Sequence, residues 1–165
     1  MRIGQFLLTV TLILSLTFSL LTAGKKVGVM YIGKSGMSER VLTGFADFLG
    51  KKAPEIQIVY KKELPDKKTA MEVYKKFQEE MDGIVFLKSS GAKFLAEHPS
   101  KIPAFVGACT HPVELGVTTD LKKPSKNITG VTYYEPVERQ IKVLLKVFPH
   151  LKRLGLLVQE GHPST

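Results

Sequence analysis

Cys109 and His111, separated by Thr110, are the residues of this chain that come closest in type and spacing to a nucleophile and its base. A catalytic thiol needs an electropositive neighbour, such as an imidazole, that keeps it ionised. Cys109 also ends an apolar run, which is typical of a buried and inert thiol. It is the single cysteine of the sequence, so no intramolecular disulfide can form.

Other patterns that would indicate catalysis or cofactor binding are missing from the sequence. There is no Gly-x-Ser-x-Gly elbow, Walker-type loop or Rossmann glycine motif. The histidines lack the spacing that metal sites use; they are His98, His111, His150 and His162. We therefore expect no catalytic residue, no cofactor and no metal ion, and we expect binding rather than chemistry.

Hydroxyl and imidazole groups follow the apolar runs of the sequence at the points where strands should end. Ser35 follows the first run, Ser89 and Ser90 follow the third, and Thr110 and His111 follow the fourth. In an open parallel sheet, ligands bind in the crevice outside the carboxyl ends of the strands. We expect these five side chains to border a ligand-binding crevice. For Ser90 a plain helix cap, for His111 a solvent-facing loop and for Ser35 a solvated turn are the alternatives.

Short apolar runs alternate with helical patterns along the rest of the chain. The runs that predict strands are Val27–Ile32, Ile56–Tyr60, Gly83–Leu87, Ala104–Ala108, Ile128–Thr132 and Leu154–Val158. The patterns that predict helices run from Ser38 to Leu49, from a cap at Asp66, from Gly91 to Glu97 and from Pro136. This alternation predicts an α/β fold: an open parallel sheet with helices on both faces.

The amino terminus has the composition of a secretory signal. Met1-Arg2 is positive, Phe6 to Thr22 is apolar, and Thr22-Ala23-Gly24 offers small residues for cleavage. We expect residues 1–23 to be a signal peptide and the protein to be periplasmic or otherwise extracytoplasmic. An uncleaved membrane anchor is the alternative, although its run is near the lower end of the roughly 20 apolar residues that a span needs.

The formal net charge of +9 comes from lysines that are spread along the chain. Many occur as pairs, such as Lys25-Lys26, Lys51-Lys52 and Lys122-Lys123, at element ends or on polar helix faces. A nucleic-acid surface would show a basic stripe with interleaved aromatic residues. We therefore expect no nucleic-acid partner.

From Ile102 onward the sequence resembles one protein family. The segments that carry the resemblance are Ile102–Val113 with Thr110-His-Pro-Val113, Asn127-Ile-Thr-Gly-Val131, Pro136-Val-Glu-Arg-Gln140 and Leu154-Gly-Leu-Leu-Val158. They are similar to the Thr-Asp-Pro-Val, Asn-Val-Thr-Gly-Val, Pro-Val-Glu-x-Gln and Ile-Gly-Val-Leu segments of tryptophan/tyrosine-type ABC-transporter substrate-binding proteins. Earlier elements agree in layout, so the resemblance covers nearly all of the chain after the signal.

The resemblance implies two α/β lobes, joined by hinge strands, that close on a ligand in the cleft between them. By this comparison, residues 24–134 are the first lobe with its crossing segment, and 135–165 begin the second lobe. A full second lobe would need about 120–150 more residues, as domains of this kind do. We expect the chain to be a truncated product or a fragment, with a natural single-lobe protein as the alternative.

The resemblance also adds candidate ligand-binding residues near the end of the chain. The tail Gln159-Glu-Gly-His-Pro-Ser-Thr165 resembles the family's Asn-Pro-Gly-Glu-Pro-Asn-Ser loop, which places His162, Ser164 and Thr165 at the cleft. His111 stands where the family pattern has Asp, and His162 where it has Glu. A neutral histidine offers an ammonium group only one acceptor. Our hypothesis is therefore a ligand other than a simple aromatic amino acid.

The function implied is that of a solute-binding protein. It would capture a small organic ligand, an amino acid or a related solute, and deliver it to an ABC permease in the membrane. A periplasmic α/β enzyme that uses Cys109 and His111 is one alternative. A sensory domain without a transport partner is the other.

Overall fold

The computed structural model describes residues 24–120, 122–123 and 127–158. The proposed signal segment 1–23 and the candidate site residues His162, Ser164 and Thr165 lie outside the described residues. Among the described residues, no helix combines the length and the apolar character needed to cross a membrane.

The centre of the fold is a five-stranded sheet in the order β2-β1-β3-β4-β5, and all neighbouring strands are parallel. The strands are β1 (Lys26–Ile32), β2 (Gln57–Leu64), β3 (Gly83–Leu87), β4 (Ala104–Cys109) and β5 (Ile128–Thr132). The helices are α1 (Gly36–Lys52), α2 (Lys67–Glu80), α3 (Lys88–Glu97) and α4 (Val137–Val147). The α/β fold class with an open parallel sheet is thus confirmed.

Two hydrophobic cores flank the sheet because successive side chains of a strand point to opposite faces. On one face, Met30 of β1 and Phe86 of β3 pack with Phe77 of α2 and Phe94 of α3. On the other face, the alternate residues of the same strands pack against α1; they are Val29, Tyr31, Val85 and Leu87. The central strands are buried on both faces, which explains why they are continuously apolar.

Capping side chains set two of the helix starts. Ser35 precedes α1, and its Oγ accepts a hydrogen bond from the Ser38 backbone N–H at 3.2 Å. Asp66 precedes α2 and accepts from the Thr69 N–H at 2.7 Å, as the sequence predicts. The predicted cap at Ser90 is wrong. The chain turns sharply at Lys88, with φ 74°, so α3 begins there and Ser90 lies inside its first turn.

The predicted strand Leu154–Val158 is also wrong for the part of the chain that the structure describes. This segment has no regular secondary structure, and Leu156, Leu157 and Val158 are exposed. A strand is stabilised by backbone hydrogen bonds to a neighbouring strand. The five strands described pair only with one another, so the segment has no such neighbour.

Helix α4 exposes an apolar face. Pro136 precedes its first residue, as predicted, but none of its residues is buried. Val137, Val143 and Val147 are 57–64% exposed, and Phe148 just after the helix is 57% exposed. Contiguous apolar surface of this kind usually marks an interaction site.

The Asn127–Val131 segment is held by backbone geometry. Asn127 has a left-handed φ of 59°, and its carbonyl accepts a hydrogen bond from the Ala104 N–H at 2.9 Å. Gly130 lies so close to β4 that a Cβ atom would be 2.0 Å from the Val106 carbonyl oxygen. This close approach explains why glycine is needed at this position.

A second local feature ties α1 to the sheet. The buried Tyr31 hydroxyl of β1 donates to one carboxylate oxygen of Glu39, and Lys62 of β2 donates to the other at 2.8 Å. The hydrogen bonds from Lys62 and Tyr31 lower the pKa of the Glu39 carboxyl group. Burial, together with the Glu39 carboxylate, raises the pKa of Tyr31.

Substitution of Gly130 should weaken the β4–β5 pairing. We expect Gly130→Ala to lower the free energy of unfolding by about 1–3 kcal/mol, the usual cost of forcing extra atoms into a packed site. The matched control is Gly44→Ala in α1, where an added Cβ meets nothing within 4 Å. This control should be neutral or stabilising by about 0.5–1 kcal/mol. Urea denaturation measures both, and equal stabilities of the two variants would contradict the role given to Gly130.

The Glu39 network should make stability depend on pH in the acid range. Because the Glu39 pKa is lower in the folded state, the ionised carboxylate stabilises the fold above the ordinary glutamate pKa of about 4.3. That stabilisation is lost as the pH falls through the lowered value. We expect Glu39→Gln to unfold at lower urea concentration than the wild type at neutral pH, with the difference shrinking in acid. The control Glu80→Gln, which removes an exposed ion pair to Lys76, should keep the wild-type pH dependence.

Candidate ligand-binding site

The ends of β1 and β3 form the topological switch point of the sheet. The chain leaves β1 toward β2 on one side and continues from β3 toward β4 on the other. Sheets of this order bind ligands in the crevice at that point. Gly33 and Ser35 follow β1 there, and Lys88 follows β3. Gly33 has φ 66°, a left-handed conformation that turns the chain away from the sheet toward α1.

The Lys88 ammonium group lies across this switch point. Its Nζ donates a hydrogen bond to the Ile32 carbonyl oxygen, the last of β1, at 2.7 Å. The sequence does not single out this residue, because lysines occur throughout the chain and nothing in the local pattern distinguishes this one. Its position directly after a fully apolar strand was the available signal.

Hydroxyl groups join the ends of β3, β4 and β5. The Ser89 Oγ is 3.1 Å from the Thr110 Oγ1 and also accepts from the Thr110 N–H at 3.1 Å. Thr132 Oγ1 lies 2.8 Å from the Cys109 carbonyl oxygen and 2.5 Å from that of Thr110, and its one O–H is shared between these two acceptors. Ser89 is buried and Thr110 is half-buried, so their hydroxyls form a fixed polar floor at this edge.

Ser90 differs from Ser89 in having an unused hydroxyl. Its Oγ is shielded from solvent and has no hydrogen-bond partner among the described residues. Buried polar atoms nearly always have a partner, and an exception calls for an explanation. A ligand at the start of α3 would supply one, since the first N–H groups of a helix also favour an acceptor.

His111 borders an open pocket between the end of β4 and the segment before α4. Its ring packs edge-on against Tyr134, with 4.2 Å between ring centroids. Its Nδ1 faces the Glu114 backbone N–H at 3.5 Å. The other residues that line the pocket are Thr110, Glu114, Tyr133, Tyr134, Glu135, Val137 and Gln140. Tyr133 and Tyr134 were missed from sequence, although paired aromatic residues after β5 were a visible signal.

The described site residues thus form two neighbouring groups along one edge of the sheet. Ser35 lies beside the end of β1, where its hydroxyl caps α1. Ser89 and Ser90 follow β3, and Thr110 and His111 follow β4. The hydrogen bonds between Ser89 and Thr110 join the end of β3 directly to the end of β4. These groups can donate hydrogen bonds to a small polar solute and accept hydrogen bonds from it. The rings of Tyr133 and Tyr134 provide aromatic surface at the His111 side.

Cys109 and His111 do not form a nucleophile–base pair. Cys109 is fully buried in the core, and its Sγ contacts the Val131 carbonyl oxygen at 3.7 Å. Burial raises the pKa of the thiol, which is the opposite of activation. Within 24–120, 122–123 and 127–158, no three His, Cys, Asp or Glu side chains are grouped as metal ligands would be.

Comparison with known proteins accounts for this arrangement. Residues 26–164 match the family described as ABC transporter substrate binding protein. The chain belongs to this family. Its members are substrate-binding proteins, which agrees with an edge built from hydrogen-bonding groups.

Individual relatives are similar to this chain in sequence or in fold. A tyrosine-binding protein from Clostridioides difficile (strain R20291) is 23% identical over 138 residues, covering 81% of this chain and 40% of that protein. The ABC domain in complex with L-Trp from Streptococcus pneumoniae superimposes with a TM-score of 0.72 at 23% identity, over 86% of this chain and 49% of that one.

A ligand-free, open structure of a substrate-binding protein with adhesive properties from Clostridium difficile has a TM-score of 0.66 and 26% identity. The match covers 75% of this chain and 43% of that one. The chain therefore spans less than half the length of each of these relatives.

The buried state of Cys109 can be tested by alkylation. We expect iodoacetamide to modify native protein slowly, with little increase between pH 6 and 8, because the thiol is inaccessible and its pKa is raised. Unfolding in urea should make the reaction fast. The His111→Ala variant serves as a control and should react at the wild-type rate. Fast native labelling that His111→Ala abolishes would restore the enzyme alternative.

Proposed function

We propose that this protein is the extracytoplasmic solute-binding component of an ABC transporter. It captures a small organic ligand against the carboxyl edge of its parallel sheet. The observation that carries the proposal is the unpartnered Ser90 hydroxyl, one residue after Ser89, whose own hydroxyl joins that of Thr110, in a member of a substrate-binding family. Ser35 and His111 border the same edge, and His162, Ser164 and Thr165 complete the proposed site from the opposite wall.

The proposed ligand site lies between two lobes, of which residues 24–134 form the first and 135–165 begin the second. Two observations support a second lobe in the whole protein. Helix α4 and the segment to Val158 expose apolar side chains that no described element covers. The relatives are also more than twice as long as the matched region. Closure about the crossing strands would then trap the ligand.

The proposed ligand is an amino acid or a related organic solute. One relative is a tyrosine-binding protein and another was solved with L-Trp. In this chain the pocket beside His111 contains Tyr133 and Tyr134, which provide aromatic surface. His111 replaces an acidic residue of the family pattern, so we propose a ligand that is not a simple aromatic amino acid.

The proposed partner is a membrane permease of the ABC type, and we assign no nucleic-acid partner. Export by the segment 1–23 would place the protein on the same side of the membrane as its solute. The buried Cys109 supports binding without catalysis.

The function can be tested by calorimetry on the full chain with a panel of amino acids, their deaminated acids and their decarboxylated amines. We expect saturable binding of at least one member. Ser90→Ala should weaken that binding by about tenfold, since a hydrogen bond to a ligand is worth about 1 kcal/mol or more. The fold should be unaffected, because the hydroxyl has no partner within the described protein.

The control is Ser100→Ala. Ser100 is buried, and its hydroxyl donates to the Ile102 carbonyl at 2.6 Å, away from the proposed site. This variant should lose stability but keep its affinity for the solute. Absence of saturable binding by every panel member, or equal affinities of wild type and Ser90→Ala, would contradict the proposed site.

A further inference from the structure

Lys88 occupies a backbone conformation that suits glycine. Its φ of 74° lies in the left-handed region, where a Cβ atom is disfavoured. Strained residues of this kind cluster at ligand sites, where the side chain has a use that offsets the strain. Glycine would satisfy the turn after β3 without strain, so the backbone does not account for a lysine here.

The contacts of the Lys88 side chain leave most of its hydrogen-bonding capacity free, and its charge is not paired within the described residues. An ammonium group has three N–H donors, and one of them is taken by the Ile32 carbonyl at 2.7 Å. No carboxylate of the described residues lies within ion-pair distance of its Nζ. The ion pairs that the structure does contain join other residues: Lys62 with Glu39, Lys67 with Glu97, Lys76 with Glu80 and Arg139 with Glu135.

The position of the ammonium group is fixed relative to the switch point. The side chain is half-buried, and the hydrogen bond to Ile32 holds Nζ over the end of β1. A Cβ atom added at Gly33 would be 3.9 Å from Nζ, which shows that the group lies against the β1–α1 turn. A cation held in place loses little conformational entropy on meeting an anion.

The nearby ionisable groups do not neutralise this cation. Lys34, in the same turn as Gly33, is positive and exposed. Glu39 in the first turn of α1 is already bonded to Tyr31 and Lys62. Glu63 of β2 lies close enough to act electrostatically on Tyr31, and it forms no ion pair with Lys88. Farther along the edge, Glu114 and Glu135 line the pocket beside His111, and neither forms an ion pair with Lys88. The first N–H groups of α3, which begins at Lys88, add positive potential at the same place.

We propose that the Lys88 ammonium group is the anion-binding and specificity-determining group of this site, which therefore selects organic solutes that carry a carboxylate or a similar anionic group. The inference rests on the proposed function and refines its ligand class. An anionic group fits the Lys88 end of this edge better than an ammonium group does, because Lys88 and Lys34 offer an ammonium group no acceptor.

The test uses amide NMR spectra of the full chain, labelled with nitrogen-15, and four probes. Hydroxyphenylpropionate carries only the carboxylate, tyramine carries only the ammonium group, and acetate and inorganic phosphate separate carboxylate from phosphate recognition. The variants are Lys88→Met, Lys88→Gly and the control Lys93→Met, which removes an exposed lysine from the same helix. The shifts of the Gly33 and Ser89 amides report on the site.

We expect hydroxyphenylpropionate to bind the wild type at least tenfold more tightly than tyramine and to shift the Gly33 and Ser89 amides. Lys88→Met should weaken the binding of hydroxyphenylpropionate by about tenfold or more, as expected for loss of a charged hydrogen bond. Lys93→Met should bind like the wild type. Lys88→Gly should bind hydroxyphenylpropionate as weakly as Lys88→Met does. It should also melt at a higher temperature than the wild type, because glycine relieves the left-handed strain.

The outcomes separate this inference from the proposed function. Equal binding of the acid to wild type and Lys88→Met would overturn the role of Lys88 while leaving a solute-binding protein. Shifts produced by acetate or phosphate in the wild type but not in Lys88→Met, without binding of any aromatic probe, would support Lys88 and contradict the proposed ligand class. Tighter binding of tyramine than of the acid, or no shift with any anion, would overturn the inference.

Discussion

The parallel pairing of β1 with both β2 and β3 is the constraint on which the rest of the structure depends. β1 hydrogen-bonds to β2 from Lys26 to Ile32 and to β3 from Val27 to Met30. Since the chain leaves β1 toward β2 on one side and leaves β3 toward β4 on the other, the carboxyl ends of β1 and β3 are the point where sheets of this order bind ligands. Both backbone turns there, at Gly33 and Lys88, are left-handed. The same pairing brings the Lys88 ammonium group to the Ile32 carbonyl.

Packing on the two faces of the sheet keeps this edge rigid. At two glycines an aromatic ring packs directly against the backbone. A Cβ atom on Gly28 would overlap the Phe77 ring, and one on Gly91 would overlap the Phe86 ring. Helices α2 and α3 can therefore lie near the strands, and the start of α3 is fixed beside the end of β3. Helix α4 has no comparable contact, and its apolar residues remain exposed. The described chain is thus a well-packed sheet domain followed by an apolar helix that no described element covers.

The polar groups at the carboxyl edge divide into two kinds. Ser89, Thr110 and Thr132 bond to one another or to strand ends, so they hold β3, β4 and β5 in register. Ser90 and Lys88 have donors or acceptors that the fold leaves unused. The proposed site uses both kinds, because a ligand gains most from groups that are already fixed in place. Membership in a substrate-binding family gives this division a functional meaning.

The sequence by itself determined the alternation of buried strands and amphipathic helices, the cap at Asp66 and the five polar residues that follow strands. These features depend on local periodicity and on side chains that bond to their own backbone. Only the tertiary structure decided that Ser89 bonds to Thr110, that Cys109 is buried apart from His111, and that Lys88 reaches Ile32. It also decided that Leu154–Val158 forms no strand in the part of the chain described. Each of these outcomes depends on residues that are distant in sequence. A local apolar pattern does not determine whether a partner strand is present.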